Sequence, residues 1–260
     1  MEYVALGRTG LLASSIAFGA MSLDCPEIEA FGEGAGEYVC SLVRQAYEAG
    51  INFFDTSRST PASESRLGNA LHGIRGNVLL ATKSRGRDAE SVQRDLNVSL
   101  ESLCTDYIDL FQIECSDSVP DEKSRDGIYR KLMDLKGRGI IRHFGLVTED
   151  LLLAEQAIES GLYESVQFPF NMIYTGPAES LVVLCGERDV GCIAMQPLNG
   201  GILRNIPLAV GFFTQYDNVV PVFGIHTAEE LQQIVYFADH PPVIDDKFKS
   251  DIEAVRQHYN

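Results

Sequence analysis

Short apolar runs alternate along the chain with amphipathic stretches of roughly ten to fifteen residues, a pattern that builds parallel strands joined by crossover helices. The runs Ser15–Phe18, Phe53–Asp55, Val78–Thr82, Ile108–Gln112, His143–Val147, Ser165–Phe168, Cys192–Met195 and Val219–Val222 predict eight short strands covered on both faces. Between them the period changes. Val39, Leu42, Val43 and Ala46 recur at helical spacing in Glu37–Ala49, ahead of Gly50. Val92, Leu96, Val98 and Leu103 direct one face of Asp88–Leu103 to a core, and the helices Ser124–Lys136 and Leu151–Ser160 stop at Gly137 and Gly161. The segment before Ser15 reads as a β-hairpin, and Asp24–Gly36 as the densest irregular piece.

Eight strand–helix units in 260 residues, with no Ser/Pro-rich linker and no G-x-G-x-x-G after a strand, predict an α/β fold. The expected form is a single (β/α)8 TIM barrel over residues 1–260 with an N-terminal β-hairpin. Chemistry in such barrels sits at the C-terminal ends of the strands. Composition narrows the partners: 21 Lys and Arg against 37 Asp and Glu leave a net charge of −16, which speaks against a nucleic-acid backbone. No basic leader precedes an apolar segment and no run of about 18 apolar residues occurs, so a cytoplasmic protein without a membrane span is expected. The six cysteines (Cys25, Cys40, Cys104, Cys115, Cys185, Cys192) form no C-x-x-C pair and read as reduced, mostly buried thiols. No cluster has metal-ligand spacing, so no metal is expected. His143, inside an apolar run, reads as a hydrogen-bonded core histidine.

Three charged residues follow strands directly: Asp55, Lys83 and Glu114. On a barrel they share one mouth, either as a functional site or as a charge-balanced rim. Arg58 and Arg85 lie close to them in sequence. Each is suited to gripping a substrate carboxylate or to standing as a solvated loop charge.

The stretches LGRTGLLASSIAFGAMSL, AYEAGINFFDTSRSTPASESRLGNAL, VLLATKS, SLESLCTDYIDLFQIE, GIIRHFGLVT, VQFPFN, IAMQPLNGGIL and VVPVFGIHTAEEL, in this order, resemble the aldo-keto reductase superfamily. The resemblance implies hydride transfer from a nicotinamide cofactor to a carbonyl, with an Asp and a Lys tuning a Tyr proton donor and a His orienting the carbonyl. Asp55 and Lys83 match. The tyrosine position is Thr60, and the histidine position is Glu114. On the cofactor side Gly19, Ala20, Met21, Thr148, Gln167 and Leu198 stand at matching positions, while Val147 replaces a usual Ser. Near the adenine end the usual cation falls on Glu230, the usual Glu-Asn pair becomes Gln233 and Ile234, and His226 is the nearest cation. NADH is therefore favoured over NADPH.

An aliphatic hydroxyl such as that of Thr60 is a far weaker acid than a phenol, whose pKa is near 10, so simple carbonyl reduction is disfavoured. An imine is basic enough to arrive protonated and needs no acid from the protein. In this reading Glu114 holds an iminium N–H, Asp55 and Lys83 form the polar floor, and Thr60 adds a hydrogen bond. The substrate is then an imine or imino acid, supplied by a partner enzyme because imines hydrolyse in water. The short connection from Leu203 to Val219 leaves an open site that a second copy in a homo-oligomer or another partner would close. Two alternatives stay open: carbonyl reduction with water or Tyr174 as proton source, and a non-catalytic member that binds cofactor or a protein partner.

Overall fold

The computed structural model describes residues 1–259. A hairpin of β1 (Tyr3–Ala5) and β2 (Leu12–Ser14) precedes eight parallel strands. These are β3 (Ala17–Gly19), β4 (Phe53–Asp55), β5 (Leu79–Ser84), β6 (Ile108–Glu114), β7 (Ile141–Val147), β8 (Ser165–Pro169), β9 (Gly191–Met195) and β10 (Val219–Gly224). They close in sequence order, with β10 pairing back onto β3. The expected (β/α)8 barrel and its hairpin are present.

The connecting helices are α1 (Pro26–Glu29), α2 (Ala35–Glu48), α3 (Pro61–Ala70), α4 (Ala89–Ser102), α5 (Ile128–Gly137), α6 (Leu151–Ser160), α7 (Gly176–Arg188), α8 (Ile206–Phe213), α9 (Ala228–Asp239) and α10 (Asp246–Tyr259). Asp88 and Asp150 accept hydrogen bonds from the first-turn amides of α4 and α6, which fixes where those helices begin. Two expectations shift. Helix α5 starts at Ile128 instead of Ser124, because Asp121 accepts from the Lys123 and Ser124 amides and ties that segment into a turn. Val98 is exposed, so the buried stripe of α4 runs through Val92, Leu96 and Ser99. The segment Asp24–Gly36 is less irregular than its composition suggests, since it contains α1 and a 3-10 turn at Gly32–Gly34.

Two apolar layers hold the barrel. The larger lies between strands and helices; the smaller fills the barrel floor with Ala17, Phe53, Ala81, Leu110, Ile193, Val220 and Val222. Leu6 and Ala13 of the hairpin segment join that inner layer, so the hairpin plugs the N-terminal end. Gly7 makes this possible: at φ +51 it lies against the backbone of Val190 and Gly191, where a Cβ has no room. Above the floor the inward positions turn polar. Lys83, Gln112, Gly145 and Ser165 share one register level across four neighbouring strands. Among the described residues no helix is long and apolar enough to cross a membrane.

The expected core histidine is found in an ion cluster under α5. Glu164 lies 2.7 Å from Lys136 Nζ and 2.8 Å from His143 Nδ1. Burial pushes its carboxyl up, but the hydrogen bonds from His143 and Lys136 outweigh this and hold it at about 2. Its contribution is therefore full above the ordinary carboxylate range and lost as pH falls toward 2. In urea unfolding at pH 7 and pH 3, Glu164→Gln is expected to remove on the order of 2 kcal/mol at the higher pH and about half as much at the lower.

Candidate active site

A cavity of about 920 Å³ opens at the C-terminal ends of the strands. The pairing of β4 with β5 sets Asp55 opposite Ala81, two positions from Lys83 on the same inward face. Lys83 Nζ lies 2.6 Å from each Asp55 oxygen and 2.8 Å from the Thr56 carbonyl. The pair is buried, and an ammonium has three donors, so these contacts occupy them all. Gln167 Nε2 adds a contact to Asp55 at 3.4 Å. At the rim Glu114 accepts from Arg85 Nη2 at 2.7 Å. The three charged residues read from the strand ends thus line one cavity.

The loop after β4 departs from expectation. Its backbone continues along β5, with the Thr56 and Arg58 amides donating to the Ala81 and Lys83 carbonyls. Ser57 and Ser59 then line the cavity, their hydroxyls 2.8 Å apart. Thr60 does not: its hydroxyl donates to the Ser57 carbonyl and meets Ser63, ahead of α3. The hydroxyls that line the cavity here are those of the two serines, which carry no signal in sequence. Arg58 is also withdrawn, paired with the fully buried Glu64, which accepts from the Thr82 hydroxyl at 2.7 Å. Tyr174 lines a neighbouring groove with Pro169 and Ile173, which shares Glu149 and Gln196 with the cavity.

Of the expected cofactor contacts, Gly19, Met21, Gln167, Leu198 and His226 line the cavity. Ala20 is packed in the core, and the Thr148 hydroxyl accepts from the Asp150 amide, leaving Val147 at the surface of the site. His226 is not a free cation, since its Nδ1 lies 2.8 Å from the Glu230 carboxylate. Burial raises the Glu230 carboxyl, but hydrogen bonds from the His226 and Thr227 amides and the His226 ring hold it below its ordinary value. Arg204, on the cavity wall, makes no ion pair among the described residues and is the cation the sequence reading missed. The buried Gln167 Oε1 has no partner among the described residues, an acceptor suited to an amide such as that of nicotinamide. The lining residues fit a dinucleotide cofactor.

The aldo/keto reductase family model matches residues 15–207. The chain belongs to the aldo/keto reductase family. It is 32% identical over 222 residues to an L-galactose dehydrogenase of Arabidopsis thaliana, covering 78% of this chain and 67% of that protein. It is 26% identical over 217 residues to an uncharacterized oxidoreductase of Bacillus subtilis, with the same coverage. The matches span about two thirds of the relatives' length. The holo form of an aldo-keto reductase from Bacillus halodurans superposes with a TM-score of 0.81 at 21% identity, covering 98% of this chain and 96% of that one. One from Klebsiella pneumoniae in complex with NADPH superposes at 0.80 and 18% identity, over 98% and 95%.

Family membership makes the chain an oxidoreductase. Removing the partner of a buried charge costs roughly 3–5 kcal/mol. Arg58→Met is therefore expected to lower stability in urea by about that amount, because Glu64 is left buried and unpaired, while the folded variant keeps its dinucleotide affinity within about two-fold. A large loss of affinity with unchanged stability is the contrary result.

Proposed function

We propose that this protein is an NAD(P)H-dependent reductase of C=N bonds, acting on an imine or imino acid in preference to a simple aldehyde or ketone. The donor inventory of the site carries the reading. Lys83 spends its donors on Asp55 and Thr56, and the polar groups around the pair are the Gln167 amide, the hydroxyls of Ser57 and Ser59, and the Glu114 carboxylate with its Arg85 partner. Serine hydroxyls are far weaker acids than a phenol, and a carboxylate in an ion pair accepts protons instead of giving them. An alkoxide formed here has no strong acid within reach.

A protonated imine brings its own proton and becomes a neutral amine on reduction. When bound, the nicotinamide cofactor supplies the hydride; Gly19, Met21, Gln167, Leu198 and Arg204 are placed to hold it. Glu114 accepts the iminium N–H in a charge-assisted hydrogen bond. Because hydride transfer discharges the nitrogen, the gain from Glu114 lies in population: a carboxylate raises the proton affinity of the bound imine and keeps it reactive. The Asp55–Lys83 pair gives a rigid polar floor without net charge, and Ser57 and Ser59 orient the substrate. NADH is the preferred donor in this reading, since the Glu230 carboxylate on the cavity wall disfavours an added phosphate. All six cysteines are free, which suits a reducing cytoplasm, and a partner enzyme that forms the imine is part of the proposal.

The decisive experiment titrates the protein with NADH and NADPH by fluorescence, then compares turnover of a cyclic imine with a panel of aldehydes and ketones. Tighter NADH binding with imine turnover is expected. Failure to bind either dinucleotide removes the reductase reading, and faster carbonyl turnover removes the C=N preference. Glu114→Gln is expected to lower kcat for the imine by roughly 100-fold, the scale of a positioned proton-handling group.

A further inference from the structure

We infer that the substrate carries a carboxylate on the carbon of its C=N bond, and that Arg85 and Glu114 together read this zwitterionic head; the inference rests on the C=N reading above. The basic side chains of the cavity are unequal. Lys83 is held by Asp55, and His226 is held by Glu230. Arg204 belongs to the wall formed by Gly200–Ile206, beside α10. Arg85 alone stands against Glu114, where the iminium nitrogen is placed.

The contact between them is built to open. A single bond of 2.7 Å joins Arg85 Nη2 to Glu114 Oε1, and it is the only hydrogen bond of the Arg85 side chain among the described residues. The guanidinium fork keeps donors free for a second acceptor. The Arg85 side chain is 66% exposed and that of Glu114 29%, so their pairing contributes at most about 1 kcal/mol and is displaced at little cost. Meanwhile the backbone on either side is fixed. The Ser84 hydroxyl accepts from the Gly86 amide at 2.9 Å and donates to Asp95, and Gly86 lies so close to the Val92 amide that a Cβ there meets it at 2.7 Å. Arg85 is an exposed side chain with one partner on an anchored main chain.

A head group with cationic nitrogen and carboxylate one carbon apart exchanges this one ion pair for two. Its nitrogen meets Glu114 and its carboxylate meets Arg85, so no charge is left uncompensated. An iminium without the carboxylate leaves Arg85 displaced and unpaired. A plain carboxylic acid strands Glu114. The surroundings sharpen the demand on Arg85: the chain carries a net charge of −16, and Glu27, Glu149 and Glu230 line the same cavity, so beside Glu114 an entering carboxylate has this guanidinium as its partner.

The test uses three unreactive probes that share one ring: proline, proline methyl ester and pyrrolidine. Their binding to the full chain with saturating dinucleotide is measured by calorimetry, in the wild type, Arg85→Gln and Arg85→Lys. Wild type is expected to bind proline at least about ten-fold more tightly than the ester or pyrrolidine, the scale of a charge-assisted hydrogen bond. Arg85→Gln should bring the three within about two-fold of each other, and Arg85→Lys should restore part of the difference. With the cyclic imine 2-carboxylate as substrate, Arg85→Gln should raise KM at least about ten-fold and leave kcat within about three-fold, a split that a general loss of structure does not produce. Pyrrolidine binding as tightly as proline to wild type, or equal weakening of all three probes by Arg85→Gln, overturns the carboxylate assignment. In that event turnover of 1-pyrroline, which lacks the carboxylate, still upholds the C=N reading. No turnover of either cyclic imine overturns the C=N reading itself.

Discussion

The site is organised around one buried ion pair, Lys83 with Asp55. Each of these charges would be costly alone in the barrel interior, and together they are tolerated because both carboxylate oxygens and the Thr56 carbonyl surround the ammonium. That arrangement needs β4 and β5 in their observed register, since a slip of one residue turns either side chain outward among the helices. The register depends in turn on the apolar floor, where Phe53 and Ala81, two positions before each partner, pack inside the barrel. Hydrophobic packing below thus pins the charges above.

Around this pair the protein compensates charge locally. Arg58 is matched by Glu64, Arg85 by Glu114, His226 by Glu230, and Glu164 by Lys136 and His143. The depth of each pair decides its role. Arg58 and Glu64 are enclosed, and breaking them costs structure. Arg85 and Glu114 are solvated, and exchanging them for substrate charges costs little. Two arginines near each other in sequence therefore differ in setting: one holds the loop, the other lines the open cavity.

The loop after β4 separates main-chain and side-chain roles. Its main chain runs along β5 beside the Asp55–Lys83 pair, while its side chains present serine hydroxyls to the cavity. The polar layer continues inward through Gln112, whose buried amide has no partner among the described residues, and Ser165, whose hydroxyl occupies the space beside Gly145. Polar residues in the upper barrel, over an apolar floor, keep the strand ends chemically capable without giving up the packing that closes the sheet.

The sequence by itself determined the barrel, its hairpin and the three strand-end charges, because burial on both faces demands continuous apolar runs and a charge at the end of such a run has one place to go. The helix starts it placed at Asp88 and Leu151 also hold, each beside a capping carboxylate, Asp88 and Asp150. Tertiary structure alone decided which way side chains turn. Whether Arg58 faces ligand or Glu64, whether Thr60 or Ser57 lines the cavity, and whether Val98 is buried depend on how α3 and α4 pack against the barrel. Arg204 and Tyr174 make the same point, since spacing along the chain carries no information about which wall of the mouth a loop residue joins. The periodicity of a sequence encodes faces of elements; the pairing of polar groups is settled when those faces meet.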